Sequence, residues 1–170
     1  GYVTLLGSTG ESIAREQQVL ASLLEHDPAG VILSPAEGSD AGQVLKTIGV
    51  RTPLLLFNRE LAGKASPDAP WDRLMLDNQR GARLATEHLI ALGQKRIAFF
   101  GGHAGSSSCQ QRHGGYVEAL KAAGLPIEPH WRIECAPNRV DAAAQCGALF
   151  FDAPAPTAAV CYNDAVPLGL

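Results

Sequence analysis

The stretch RIAFFGGHAGSSSCQQRHGGY, Arg96 to Tyr116, holds a dense set of groups that could do chemistry. An apolar, strand-like run gives way to glycines and serines and then to a helix-like pattern. Amides along Gly101-Gly102-x-x-Gly105 could meet a phosphate at a helix N-terminus. Phosphate chemistry, however, needs more than glycines. The dinucleotide spacing Gly-x-Gly-x-x-Gly is absent, and no lysine lies between positions 96 and 120 to complete a P-loop. Hydrolysis would need a nucleophile with a base. Ser106, Ser107, Ser108 and Cys109 are candidates beside His103 and His113, yet no Gly-x-Ser-x-Gly elbow presents them. Serines ahead of a helix serve more often as caps or as hydroxyl contacts to a ligand. The five histidines form no His-Glu-x-x-His pair, and Cys109, Cys135, Cys146 and Cys161 form no Cys-x-x-Cys. Neither a metal nor a cofactor is expected, and no catalytic constellation is found. The remaining polar groups fit a binding site: Asn58, Asp77, Ser106, Ser108, Arg112 and Asn163. A forked guanidinium with carboxamides, a carboxylate and hydroxyls can satisfy a polyol or a small anion.

The elements that must position these groups alternate along the chain. Thr4–Ser8 reads as a strand, followed by a helix on which Ile13, Leu20 and Leu24 recur, with Ser8 and Glu11 able to form a capping box. GVILSP (30–35) is a strand, 40–48 a short helix and PLLLFN (53–58) a strand. A surface loop (62–72) leads to the strand RLMLD (73–77). Gln79–Leu92 is an amphipathic helix, with Leu84, His88 or Leu89, and Leu92 on its apolar face. RIAFFGG is a strand, and Gln110–Ala123 a helix closed by Gly124. Trp131–Cys135 is a strand, Arg139–Phe151 a helix, and Thr157–Tyr162 a strand running into the helix-capping pair Asn163-Asp164. Such alternation predicts βαβ units and parallel sheets. The nearly continuous apolar strands predict sheets covered on both faces. Ligands of such sheets bind beyond the carboxyl ends of the strands. Ser34, Asn58, Asp77, Gly101–Ser108, Ala136–Asn138 and Asn163-Asp164 all fall there. Singly each reads as a cap or turn; collectively they favour one edge and hence binding.

Bulk properties limit the partners. The 170 residues suffice for one ordinary domain or two small lobes, and 46% hydrophobic against 18% charged residues indicates a packed core. A net charge of −3 and a pI near 5.9 argue against this chain itself gripping nucleic acid. No apolar run reaches bilayer length. Cys135 and Cys161 lie in strand-like runs as small apolar residues, and reduced cysteines in a cytoplasmic protein are expected. The abrupt start, and the ending one or two turns into a helix with Leu168 and Leu170 unpacked, suggest a fragment of a larger protein.

Three segments together resemble the lactose-repressor (LacI/GalR) family of bacterial transcription regulators. LDNQRGARLATEHLIALGQKRIAFFGG (76–102) resembles its crossover strand, helix and first strand of the second lobe, with Asp-Asn, Gly, His-Leu, Leu-Gly, Arg-Ile and Gly-Gly in order. Arg112-x-x-Gly115-Tyr116, with Ala119-Leu120 and Gly124, resembles the next helix. Ala158–Gly169 resembles the segment carrying Asn-Asp. GVILSP and PLLLFNRE fit the first lobe.

The resemblance implies an α/β, periplasmic-binding-protein-like fold of two doubly wound parallel-sheet lobes, 1–77 and 78–170, both incomplete here. The first strand and helix of lobe one and the last elements of both lobes would be missing. An effector, expected to be a sugar, would bind between the lobes. A helix-turn-helix absent from this chain would bind operator DNA, and the protein would be a homodimeric, cytoplasmic, ligand-controlled repressor without membrane association or enzymatic activity. Position by position, the resemblance gives effector contacts to Asn58, Asp77, Ser106, Ser108, Arg112 and Asn163, with Asp164 capping its helix. Two departures stand out: Gln94 replaces the His after Leu-Gly, and Pro167 replaces the Ala after Asn-Asp. The alternative within the same fold is a secreted sugar-binding protein of an ABC transporter, which the sequence upstream would reveal as a signal peptide.

Overall fold

The computed structural model describes residues 1–49, 51–62, 69–136, 144 and 154–169. The chain divides into two compact units, Gly1–Leu76 and Asp77–Leu170. In the first, α1 (Ile13–Leu24) and α2 (Ala41–Ile48) accompany β1 (Val31–Leu33), β2 (Leu54–Phe57) and β3 (Asp72–Leu74). The three strands are parallel in the order β1-β2-β3, with Val31 opposite Leu54 and Leu55 opposite Asp72. Alternation along the pleat sends Val31, Leu33, Leu54 and Leu56 into one core with Leu20 of α1 and Val44 and Ile48 of α2. Ile32 points the other way and is 74% exposed. The expected covering of both faces is thus met on one face only among the described residues.

Thr4–Ser8, expected as a strand, is not one: Tyr2 and Leu6 are 93% and 95% exposed, and nothing described pairs with the segment. An apolar run forms a strand only where a neighbour offers its row of amides. The expected Ser8–Glu11 capping box is also replaced. Gly10 and Glu11 adopt φ of 58° and 64°, a turn that cannot enter a helix, so α1 starts beyond it at Ile13. Ser12 is its cap, its Oγ accepting from the Arg15 amide at 3.3 Å.

The second unit contains α3 (Asn78–Ala91), β4 (Ile97–Phe100), α4 (Ser107–Ala122), β5 (Arg132–Ile133) and β6 (Ala158–Cys161), with single 3-10 turns at Pro129–Trp131 and Val166–Gly169. The sheet is parallel in the order β5-β4-β6. Central β4 is buried throughout. Ile97 and Phe99 meet Cys109, Tyr116, Leu120 and Val160 on one side, while Phe100 meets Ile133, Cys135 and Val166 on the other. Gly124 follows α4 at φ 63°, the left-handed closure its sequence position predicts. The helix expected at Arg139–Phe151 apart from residue 144, residues 137–138 of the expected ligand-facing loop, most of the 62–72 loop and Cys146 lie outside the described residues.

Helix α3 meets only part of the face its leucines predict: Leu89 packs against the core of the second unit, but the fully buried residues are small or polar ones. Asn78, Ala82 and Thr86 are buried; His88 is exposed, and Leu84 and Leu92 are 51% and 64% exposed. The cause is the closeness of α4. A Cβ on Gly115 would stand 2.0 Å from the Gln79 carbonyl oxygen and 2.9 Å from the Arg83 nitrogen. At that separation only small side chains fit between the helices.

Candidate functional site

The groups singled out in the second unit converge on the carboxyl end of its sheet. Gly101 and Gly102 leave β4 at φ 93° and 78°. Gly102 has a steric reason as well: a Cβ there would fall 2.8 Å from Cys109 Sγ and 2.9 Å from Tyr162 Cδ2. Helix α4 begins at Ser107, three residues before the expected Gln110, so Ser108 sits in its first turn. Ser106 occupies the cap position without making a side-chain cap bond. Its hydroxyl instead shares a 3.0 Å hydrogen bond with that of Ser108, which shares one of 2.8 Å with the Tyr162 hydroxyl. All three residues are buried.

One turn further along α4, Arg112 Nε donates to Asn78 Oδ1 at 2.9 Å, and Nη1 donates to the Tyr162 carbonyl. The guanidinium carbon stands 4.7 Å from the centre of the Tyr162 ring. Asn78 is fixed in turn by donating Nδ2 to Gln111 Oε1 at 3.1 Å. Three of the five guanidinium N–H groups keep no partner among the described residues.

Ser106, Ser108 and Arg112 therefore form one connected group, joined through Tyr162. Asn163 is the next residue, but its Oδ1 accepts from the Val166 amide at 3.1 Å. That is the capping role expected of Asp164. Asp77 likewise caps, its Oδ1 accepting from the Arg80 amide at 3.0 Å at the head of α3. Two members of the cluster, Asn78 and Tyr162, escape sequence reasoning. Each is adjacent to a residue singled out by it, and Tyr162 directly follows β6.

In the first unit Asn58 follows β2 at φ 66°, its amide donating to the Leu74 carbonyl at 2.9 Å. Its Oδ1 is buried and has no hydrogen-bond partner among the described residues. The neighbouring loops are tied down. Arg59 pairs with Glu11 at 2.5 Å, and the fully buried Glu16 accepts from the Ala36 amide at 2.6 Å and from the Ser39 hydroxyl. Nothing in the sequence pattern separates Glu16 from the polar face of α1.

His113 is half-buried. Its ring meets Phe99 edge-on at 5.3 Å and lies 5.7 Å from that of Tyr116. Burial first, then the positive Arg132, lowers its pKa below 6.5, with Glu134 opposing. Tyr116 donates to the Ile97 carbonyl at 2.7 Å, and burial pushes its phenol up to about 12. A histidine of depressed pKa binds fewer protons folded than unfolded. Its share of stability is therefore complete above about pH 6.5 and is lost as the pH falls from there toward the folded value. Urea midpoints should fall between pH 7.5 and 5.5, and His113→Phe should flatten that slope. An unchanged slope in the variant would assign the acid sensitivity elsewhere.

Among the described residues no three His, Cys, Asp or Glu side chains gather as metal ligands, and no helix is long and apolar enough to cross a membrane. Cys109, Cys135 and Cys161 form no disulfide among the described residues, and burial raises the pKa of Cys161.

Residues 2–170 match the family model for periplasmic binding proteins and the sugar binding domain of the LacI family. The chain belongs to this family. Among curated LacI-type relatives it is 34% identical over 163 residues to the maltose regulon regulatory protein MalI of Escherichia coli, covering 96% of this chain and 45% of MalI. It is 28% identical to the transcriptional repressor PurR of Photobacterium profundum, covering all of this chain and 49% of PurR. The LacI-family chain thus spans about half the length of these relatives. A crystal structure from Burkholderia thailandensis, described as a ribose operon repressor, superposes with a TM-score of 0.80 at 33% identity, over 99% of this chain and 60% of that one.

Proposed function

We propose that this chain is the effector-recognising part of a cytoplasmic transcriptional repressor that binds a small polar ligand, a sugar by preference, and performs no catalysis. The observation that carries the reading is Arg112. It is held at the sheet's carboxyl end with three N–H groups turned to no protein partner among the described residues, beside the buried Ser106–Ser108–Tyr162 hydroxyl chain. A planar fork of donors beside hydroxyls suits vicinal sugar oxygens, which both accept and donate. In the first unit, Asn58 is the residue we propose for ligand contact, on its unsatisfied amide oxygen. Asp77 and Asn163 serve the same end from positions where they also cap helices.

The names of the relatives favour a regulator over a transport protein: MalI is a maltose regulon regulator, and the Burkholderia protein is described as a ribose operon repressor. Operator DNA would be bound by a helix-turn-helix outside this chain, in a homodimer. Ligand control requires the effector to bind one conformation more tightly than the other, since equal affinity shifts nothing.

The test is a thermal-shift and calorimetric panel on the full-length protein, with D-ribose, maltose and D-glucose as probes and inorganic phosphate as the anionic comparison. Ligand at a hundred times its Kd should stabilise the fold by about 2.7 kcal/mol. A sugar that does so should also change operator affinity in fluorescence anisotropy. Response to phosphate alone would overturn the sugar assignment, and a sugar that leaves operator affinity unchanged would overturn ligand control.

Asn58 supplies a separate check. Replacing it with glycine removes both a strained left-handed residue and a buried orphan acceptor, so Asn58→Gly should stabilise the first unit by about 1 kcal/mol. Effector affinity should fall in the same variant. Stability and affinity rising together would remove Asn58 from ligand recognition.

A further inference from the structure

We infer that Tyr162 is the positioning residue of this site: its ring and its carbonyl aim the Arg112 guanidinium, and its hydroxyl forms one end of the Ser106–Ser108 hydroxyl chain. The inference rests on the effector reading but is carried by its own contacts. Tyr162 is buried and meets the site in three ways. Its carbonyl accepts from Arg112 Nη1, its ring lies 4.7 Å beneath the guanidinium carbon, and its hydroxyl bonds Ser108 at 2.8 Å. Room for the ring is made by Gly102, where any side chain would strike Tyr162 Cδ2.

Asn78 completes the setting by holding Nε. An arginine side chain is free about several bonds and loses that freedom on binding a ligand. Stacked on a ring and bonded on two sides, Arg112 has lost it beforehand. The bonds it makes leave one N–H on Nη1 and two on Nη2 with no partner among the described residues.

The hydroxyl chain adds a second property. Ser106, Ser108 and Tyr162 carry three hydroxyl protons and make two hydrogen bonds among themselves. One proton is left over, and it can be presented at either end of the chain by turning all three hydroxyls together. The Tyr162 end can therefore accept from a ligand hydroxyl or donate to a ligand oxygen. A ligand bearing hydroxyls can be met in either sense, whereas a group that only accepts can be met in one.

The test uses the full-length protein labelled with 13C and 15N at arginine only, with the Arg112 signals identified by their loss in Arg112→Lys. With no ligand present, the Arg112 δ protons should be shifted upfield by the Tyr162 ring. Its Nε–H should exchange slowly because it is bonded to Asn78. Tyr162→Phe, which keeps the ring and the carbonyl, should retain the upfield shift; Tyr162→Leu should lose it. In calorimetry with D-ribose and maltose, Tyr162→Leu should bind whichever sugar the wild type takes about tenfold more weakly, with Tyr162→Phe recovering part of the loss.

Wild-type δ protons at ordinary arginine positions would overturn the inference without any variant, so a Tyr162→Leu protein that failed to fold would not obscure the answer. Wild-type affinity in a folded Tyr162→Leu would overturn it as well. Wild-type protein that shows the ring shift but takes neither sugar would keep the positioning role and overturn the sugar reading instead.

Discussion

Gly115→Ala is expected to destabilise the second unit by about 3 kcal/mol, although alanine is the better helix former by about 1 kcal/mol. The sign is decided by what the new methyl would meet. It would lie 2.0 Å from the Gln79 carbonyl oxygen, where contact with a Cβ normally begins beyond 3.4 Å. The obstacle is the backbone of α3, and no rotamer change relieves it. The two helices must separate, opening the seam in which Ala82 and Thr86 are buried.

The neighbouring glycine provides the control. A Cβ on Gly114 meets nothing within 4 Å, so Gly114→Ala should follow propensity and stabilise the unit by about 0.8 kcal/mol. Urea unfolding of the two variants should move in opposite directions. Equal small effects would mean that the helices adapt to the methyl, and the packing argument would fail. The substitution also reaches the site. Asn78 on α3 holds Arg112 on α4 across the same seam, so any Gly115→Ala protein that remains folded should bind effector more weakly.

The same seam shows what can and cannot be read from the residues alone. The alternation of strands and helices is legible because it depends on local periodicity and on punctuation such as Gly93 and Gly124. The parallel pairing follows from it. Which side of α3 is buried is only partly legible. Of the apolar stripe at Leu84, Leu89 and Leu92, Leu89 packs on the core while Leu84 and Leu92 stay exposed, and the most deeply buried residues are those small enough for α4 to approach.

The expected strand at Thr4–Ser8 fails for a related reason, since pattern says nothing about whether a partner edge lies alongside. At the site, Ser106, Ser108 and Arg112 can be picked out because they follow a strand and open a helix. Their partners cannot. Tyr162 lies 54 residues from Ser108, and Asn78 lies 34 residues from Arg112, separations that only the folded chain closes. The capping roles of Asp77 and Asn163 are the local alternative to ligand contact, and the structure contains those cap bonds. A carboxylate or carboxamide has more than one lone pair, so a cap bond and a ligand bond are compatible at the same oxygen.

Arg112→Ala is expected to weaken effector binding by about 2–5 kcal/mol, which is about 30-fold to 5,000-fold in Kd. The range reflects how many of its three free N–H groups the ligand engages. One charge-assisted hydrogen bond accounts for the lower end, and a paired fork in a water-poor setting for the upper. Part of the loss is indirect, because truncation leaves Asn78 Oδ1 and the Tyr162 carbonyl without their donor and the Tyr162 ring without its lid.

Arg112→Lys separates charge from shape. Lysine retains the positive charge but offers a single ammonium in place of a planar fork, and it cannot reach two acceptors while presenting two parallel donors. If the fork is what recognises the effector, Arg112→Lys should resemble alanine more than wild type in calorimetry with the sugar that binds. If charge alone matters, lysine should restore most of the affinity, and inorganic phosphate should compete with the sugar. Unchanged affinity in Arg112→Ala would exclude Arg112 from the site. The hydroxyl chain at Ser106, Ser108 and Tyr162 would then have to recognise the ligand without a cation, an arrangement suited to a neutral sugar and not to an anion.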